Sequence, residues 1–303
     1  MQALENIPYI GELAALLSAL VWAGSLCGFR SFGDGVSATV LNLFKSVVAL
    51  VCLAVSLAIF RPELPTRPEV WLTLALSGLV GLAIGDTALF AALGRLGAQK
   101  TSALQCLAPP IAAFLAFLFL AEALDIGQLA GIGITVAAVL GTIAFGKEST
   151  VPSTSGVPAV TRGVLFAVLA AITQAIGMVL ARKGFQEAGV LVGTAIRFVP
   201  AVVVLIAFQA FRRPRFLWKD TGLRSAKQVL ALGIAAFFGT FVGVLGLSTG
   251  AKYAEVGAVM AISYSFPVWT IPIAWVFLKE RTNWRCLICT VLAVAGVVMM
   301  FVS

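Results

Sequence analysis

One carboxylate stands inside a long apolar stretch: Asp86, in the segment LAIGDTALF. A charge at the centre of a membrane helix costs roughly 2.5–3.5 kcal/mol on insertion scales, so such a group faces a partner or a polar cavity. Contact with a solute amine and carriage of a proton are the functional roles that fit. A structural hydrogen bond, or hydration near the interface, is the plainer alternative. Two cations, Lys45 and Arg197, stand some way into other apolar runs. They would suit an anionic solute, but snorkelling to headgroups is the simpler expectation. A polar and aromatic set lies at mid-helix depth: Trp22, Ser102, Gln105, Gln174, Ser263, Tyr264 and Trp269. Aromatics with a few convergent polar groups suit an amphipathic organic solute. Interhelical hydrogen bonds and lipid-facing rings are the competing use.

Other chemistry is harder to place. With no histidine in the chain, a Ser-His dyad and a His-based zinc site are excluded. Cys286 and Cys289 have CxxC spacing but no second pair, and read as small residues on a helix face. Gly141–Lys147 spells GxxxxGK, but Glu148 replaces the Ser/Thr that a phosphate loop needs, and the segment ends a helix instead of opening one. The other aspartates, Asp34, Asp125 and Asp220, lie in connections, so no carboxylate dyad forms. No cofactor or metal is expected. Asp86 leaves room for a coupled proton or ion.

The elements that carry these residues follow from composition. Hydrophobic residues make up 60% and charged residues 11% of 303. A soluble domain carries roughly 25% charge, so lipid must be the solvent here. A span needs about 20 apolar residues. Ten such runs are predicted: 9–29, 37–60, 70–93, 99–120, 125–146, 161–182, 190–211, 228–251, 256–278 and 283–302. The fold class is therefore all-α integral membrane. Residues 147–160, rich in Ser, Thr, Pro and Gly, form a linker between halves 1–146 and 161–303. Residues 212–227 are basic and suit an interface.

The halves repeat. At a shift of 158, Gly81 meets Gly239, Gly85 meets Gly243, Pro109 meets Pro267 and Glu122 meets Glu280. Lys45 meets Arg197 at a shift of 152, and Gly24 meets Gly177 at 153. Both glycine pairs have GxxxG spacing, which lets helices approach closely in lipid. Pro109 and Pro267 each remove a helical hydrogen bond, so each marks a kink or hinge. Glu122 and Glu280 fall at helix ends, where they would organise the following turn. Five helices per repeat is odd, so the second copy must enter the membrane inverted, the usual construction of secondary transporters.

These landmarks resemble the drug/metabolite transporter superfamily, in its EamA-like ten-helix branch. The likeness spans nearly the whole chain: tandem five-helix halves, Pro109 and Pro267 in the fourth and ninth helices, Phe-Leu-x-Glu ends at Glu122 and Glu280, and a basic residue in the second and seventh helices. The resemblance implies export or exchange of a small metabolite, such as an amino acid or related amphipathic solute, without ATP. It also implies a multi-pass protein of a bacterial-type inner membrane and no enzyme activity. Partners would be the solute and lipids, with the chain a monomer or homodimer; no basic stripe supports nucleic acid. A lipid-modifying membrane enzyme and a scaffold or channel are the alternatives. On orientation two expectations disagree. The resemblance puts both termini in the cytoplasm, whereas the connections opposite the termini hold most of the 21 Lys and Arg, which puts the termini outside.

Overall fold

In lipid every backbone polar group must find its partner within the chain, and a helix does this locally. The computed structural model describes residues 9–120, 125–145, 159–212, 221–253, 256–280 and 283–302, and helix dominates them. In order they are α1 (Ile10–Phe32), α2 (Ala38–Phe60), α3 (Pro68–Leu96), α4 (Ala98–Gln105), α5 (Ala108–Leu120), α6 (Ile126–Phe145), α7 (Ala159–Ala181), α8 (Glu187–Arg212), α9 (Ala226–Leu247), α10 (Val256–Ser263), α11 (Phe266–Ile273) and α12 (Trp284–Val302). The chain from Ala159 to Arg212, which holds α7 and α8, leaves helical geometry at Gly189 near the start of α8, at φ 66° and ψ 165°. That backbone is open to glycine and strained for other residues.

Among the described residues nine stretches are long and apolar enough to cross a membrane. Of the ten expected runs, 99–120 is the one that none of these stretches covers. The run predicted over 99–120 is not one helix: it stops at Gln105 and restarts at Ala108. Its repeat partner stops at Ser263 and restarts at Phe266. The turns fall at Cys106–Leu107 and Tyr264–Ser265, equivalent positions in the two halves. Proline is the reason. Pro109 and Pro110 lack the N–H that the Gln105 and Cys106 carbonyls would accept, and Pro267 withholds one from Ser263. Each proline sits in the first turn of the new helix, where its missing donor is harmless. The expected kinks are thus full breaks. The predicted linker 147–160 and Glu122 fall largely or wholly outside the described residues.

A second pair of irregularities matches. α3 widens into a π-helix over Gly78–Gly85, and α9 does so over Phe237–Val242. The expected glycines sit in or beside them, and they mark where the halves interlock. Gly81 of α3 lies against Gly177 of α7, where an added Cβ would come within 3.0 Å of the Gly81 Cα. Beside it the Ser77 hydroxyl donates to the Gly177 carbonyl at 2.6 Å. In the other half Ser25 and Ser18 of α1 donate to the Ala235 and Gly243 carbonyls of α9, at 2.7 and 2.9 Å. Gly239 and Gly243 leave no room for a side chain against Ser25 and Trp22. α6 and α12 close the two repeats, crossing at Gly131 and Gly296, with the Thr135 hydroxyl within 3.3 Å of the Ala293 carbonyl. Small residues fill the interior, among them Ala15, Ala19 and Ala23, while Val51, Val55 and Ile59 face outward. Without a hydrophobic drive between helices, such close backbone contact is what holds a bundle in lipid.

Candidate functional site

α2 packs on both α3 and α8, so the helices that carry the cations of both repeats flank the helix that carries the carboxylate. One face of α2 carries Asn42, Lys45, Ser46 and Ala49, at the spacing that puts side chains on one stripe. Asn42 is fully buried. Its amide donates to the Leu82 carbonyl at 2.8 Å and to Thr87 Oγ1 at 2.9 Å, serving carbonyls that the π turn displaces from regular pairing. One turn on, the Lys45 ammonium forms an ion pair with Asp86 Oδ2. Lys45 is 9% and Asp86 6% exposed, so neither is a surface group. Gln174 of α7 donates to Asp86 Oδ1 at 3.3 Å. The Lys45 ammonium also sits 5.9 Å from the ring centres of Phe90 and Phe198, within reach of their negative faces.

Arg197, on α8, lies further along α3: its backbone abuts Gly78 and its guanidinium adjoins Gly81. Among the described residues no carboxylate lies within 4.0 Å of it. Its guanidinium carbon is 5.4 Å from the Phe185 ring centre. Gly81 makes room beside it: a Cβ there would stand 3.5 Å from Nη2. The Nε of Arg197 is buried without a hydrogen-bond partner, while the residue as a whole is half-buried. Across these helices two cations and one carboxylate lie within the bundle. The second half supplies no second carboxylate, because the repeat counterpart of Asp86 is Val244.

The breaks of α4 and α10 form the other polar feature. Gln105, the last residue of α4, is 4% exposed, and neither its Nε2 nor its Oε1 has a partner. Its counterpart Ser263, the last residue of α10, is fully buried and its hydroxyl is also unpartnered. The Thr101 hydroxyl, one turn before Gln105, is in the same condition. Tyr264 packs on the cluster that contains Leu104 and Cys106, which brings the two breaks to one another. α1 covers this region: it packs on α10 and α11, and Trp22 meets Phe266 edge-on at 6.2 Å.

The residues singled out from sequence thus separate into groups. Asp86 and Gln174 meet in the charged cluster. Gln105, Ser263, Tyr264 and Trp22 lie around the breaks. Ser102 is buried there too, but its hydroxyl donates back to the Gln99 carbonyl at 2.9 Å, within its own helix. Trp269 is 38% exposed, and its indole donates to Ser265 Oγ of the second break at 3.2 Å. Lys45 joins Asp86 instead of reaching for headgroups, and Arg197 stands beside Gly81 of α3. Asn42 was not anticipated; its position one turn before Lys45 on the same face was the available signal. Glu280 organises a helix other than its own. Its carboxylate accepts from the Ala98 and Gln99 amides at 3.1 and 3.4 Å, capping α4 with a negative charge. Arg30 stands 3.9 Å from the same carboxylate.

Comparison with known proteins agrees with this architecture. The model of the EamA-like transporter family matches residues 9–144 and again residues 161–302, one copy for each half. A solved crystal structure shares the fold at a TM-score of 0.69 with 16% identity, covering 95% of each chain. A search of curated proteins finds no match.

Proposed function

We propose that this chain, which belongs to the EamA-like transporter family of the drug/metabolite transporter superfamily, is a secondary transporter that moves a small amphipathic metabolite by alternating access without ATP. The observation that carries this reading is the pairing of the two breaks. Each ends a helix at a buried polar side chain that has no partner, and the two lie together between the halves. Leaving a buried polar group unsatisfied costs about 1–3 kcal/mol, a cost that a solute with matching donors and acceptors removes on binding. Broken helices near the midplane, between inverted repeats, are how transporters present backbone and side-chain polar groups to cargo.

In this reading α4 and α5 together make a tenth crossing. Contacts between helix ends support it: Arg67 meets Glu187 at 3.1 Å on one face, and Gln228 meets the Phe32 carbonyl at 2.8 Å on the other, as alternating crossings require. The breaks act as joints. With no continuous hydrogen-bond ladder across Cys106–Leu107 and Tyr264–Ser265, α5 and α11 can tilt against α4 and α10. The solute site would then open first to one side and then to the other. Gln105, Ser263, Tyr264 and Trp22 contact the solute, and the Asp86 cluster sets the charge it must carry. The test is counterflow: purified protein in liposomes loaded with unlabelled solute should concentrate labelled solute transiently. A carrier shows this overshoot. A channel equilibrates without it, and a scaffold or a lipid-modifying enzyme moves nothing.

A further inference from the structure

Lys45 and Arg197 are equivalent by the internal repeat, but only Lys45 pairs with Asp86. Asp86 itself has no equivalent, since Val244 occupies its place. The cluster is therefore left with one positive charge in excess. Asp86 is already taken up by Lys45 and Gln174, so the excess belongs to Arg197. An uncompensated charge within a membrane protein is expensive, and such residues mark the path of a substrate or ion.

We propose that the solute is an amphipathic organic monocarboxylate whose carboxylate is bound by Arg197; this rests on the transporter reading given above. A single negative charge brings the cluster to neutrality. A zwitterion leaves the excess in place, and an organic cation doubles it. The guanidinium fork matches a carboxylate through two parallel hydrogen bonds, which an ammonium does not reproduce. Arg197 has unused capacity, with Nε unpartnered and no carboxylate within 4.0 Å among the described residues. Apolar surface for the rest of the molecule adjoins it: Phe185, only partly buried, lies against the guanidinium.

The experiment uses the full chain in liposomes and reads counterflow of labelled phenylacetate, indole-3-acetate and hexanoate, beside phenylalanine and phenethylamine. Wild type is compared with Arg197→Gln and Arg197→Lys, each checked for an unchanged gel-filtration profile. The expected result is exchange of at least one of the three anions. Arg197→Gln should weaken its apparent affinity at least tenfold, and Arg197→Lys less. If phenylalanine or phenethylamine exchanges and the anions do not, the charge assignment is overturned and the transporter reading stands. Anion exchange that survives Arg197→Gln unchanged overturns the role of Arg197. If none of the five solutes exchanges, the monocarboxylate proposal is overturned, and a wider counterflow screen then judges the transporter reading separately. Should Arg197→Gln fail to fold, Arg197→Lys and the wild-type charge preference decide.

Discussion

Asp86→Asn is the substitution whose consequence the structure fixes best. Lys45 and Asp86 form a buried pair and Arg197 adds a second cation within the bundle, for a net charge of +1 over the three. Replacing Asp86 by Asn removes the only anion and raises the net charge to +2. Breaking a buried pair by deleting one partner costs about 3–5 kcal/mol, because the other charge is left without compensation. Lys45→Met acts differently. Asp86 keeps the Gln174 donor at 3.3 Å, and Arg197 remains on a helix packed against its own. The net charge falls to zero, and the cost should be about half as large. The double variant returns to +1 and should be less damaging than Asp86→Asn alone. The cycle should therefore show a coupling of about 2–3 kcal/mol, at the upper end for residues in contact. Unfolding by SDS in mixed micelles, followed by circular dichroism, measures all four proteins. Membrane bundles with total stabilities of about 5–15 kcal/mol would still fold with such losses. If Lys45→Met costs as much as Asp86→Asn, or the coupling is below about 0.5 kcal/mol, the charge accounting is wrong.

Three further outcomes follow from the packing and the caps. Gly177→Ala drives a methyl to 3.0 Å from the Gly81 Cα and should cost about 1–3 kcal/mol in the same unfolding assay; Gly94→Ala, with nothing within 4 Å, should be neutral or mildly stabilising. Glu280→Ala removes the acceptor for the Ala98 and Gln99 amides, so hydrogen exchange in the peptide spanning 97–105 should accelerate while stability drops by about 1 kcal/mol. Pro267→Ala restores a donor for the Ser263 carbonyl and lets α10 run towards α11; the melting temperature should hold or rise while counterflow slows several-fold, and unchanged counterflow would remove the hinge role from the break.

The general architecture was legible because its causes are local. Apolar runs, the shift of 158 between halves and the GxxxG pairs all read directly from residue types, and each has a structural counterpart. What was misjudged depended on relations between helices. Cations inside a single span usually snorkel, which is the expectation for Lys45 and Arg197 taken alone. They lie inward because α2 packs on α8 and α3, which brings Lys45 to Asp86 and Arg197 to Gly81. Glu280 was assigned to its own turn, whereas the chain folds it onto the start of α4, a contact between residues 182 apart in sequence. One proline commonly bends a helix without cutting it, which is why each reads as a kink. Here each stands in the first turn of a restarted helix, so the carbonyls of Gln105, Cys106 and Ser263 lose their donors and the ladder opens. Trp269 showed the converse limit: a residue type that suits a pocket says nothing of which side of the helix faces inward.

The interlocking of α3 with α7 sets a problem of timing during synthesis. Gly81 and Gly177 are separated by 96 positions in the chain. At about 5–20 residues per second, α3 leaves the ribosome some 5 to 20 s before its glycine partner does. Throughout that interval its small-residue groove must lie against lipid or against the translocation machinery, and α1 likewise awaits α9. Assembly is therefore obliged to begin late, when the second copy arrives, and neither half is a finished object until then. A chain cut between residues 146 and 159 should for the same reason recover its fold only when both fragments share one membrane.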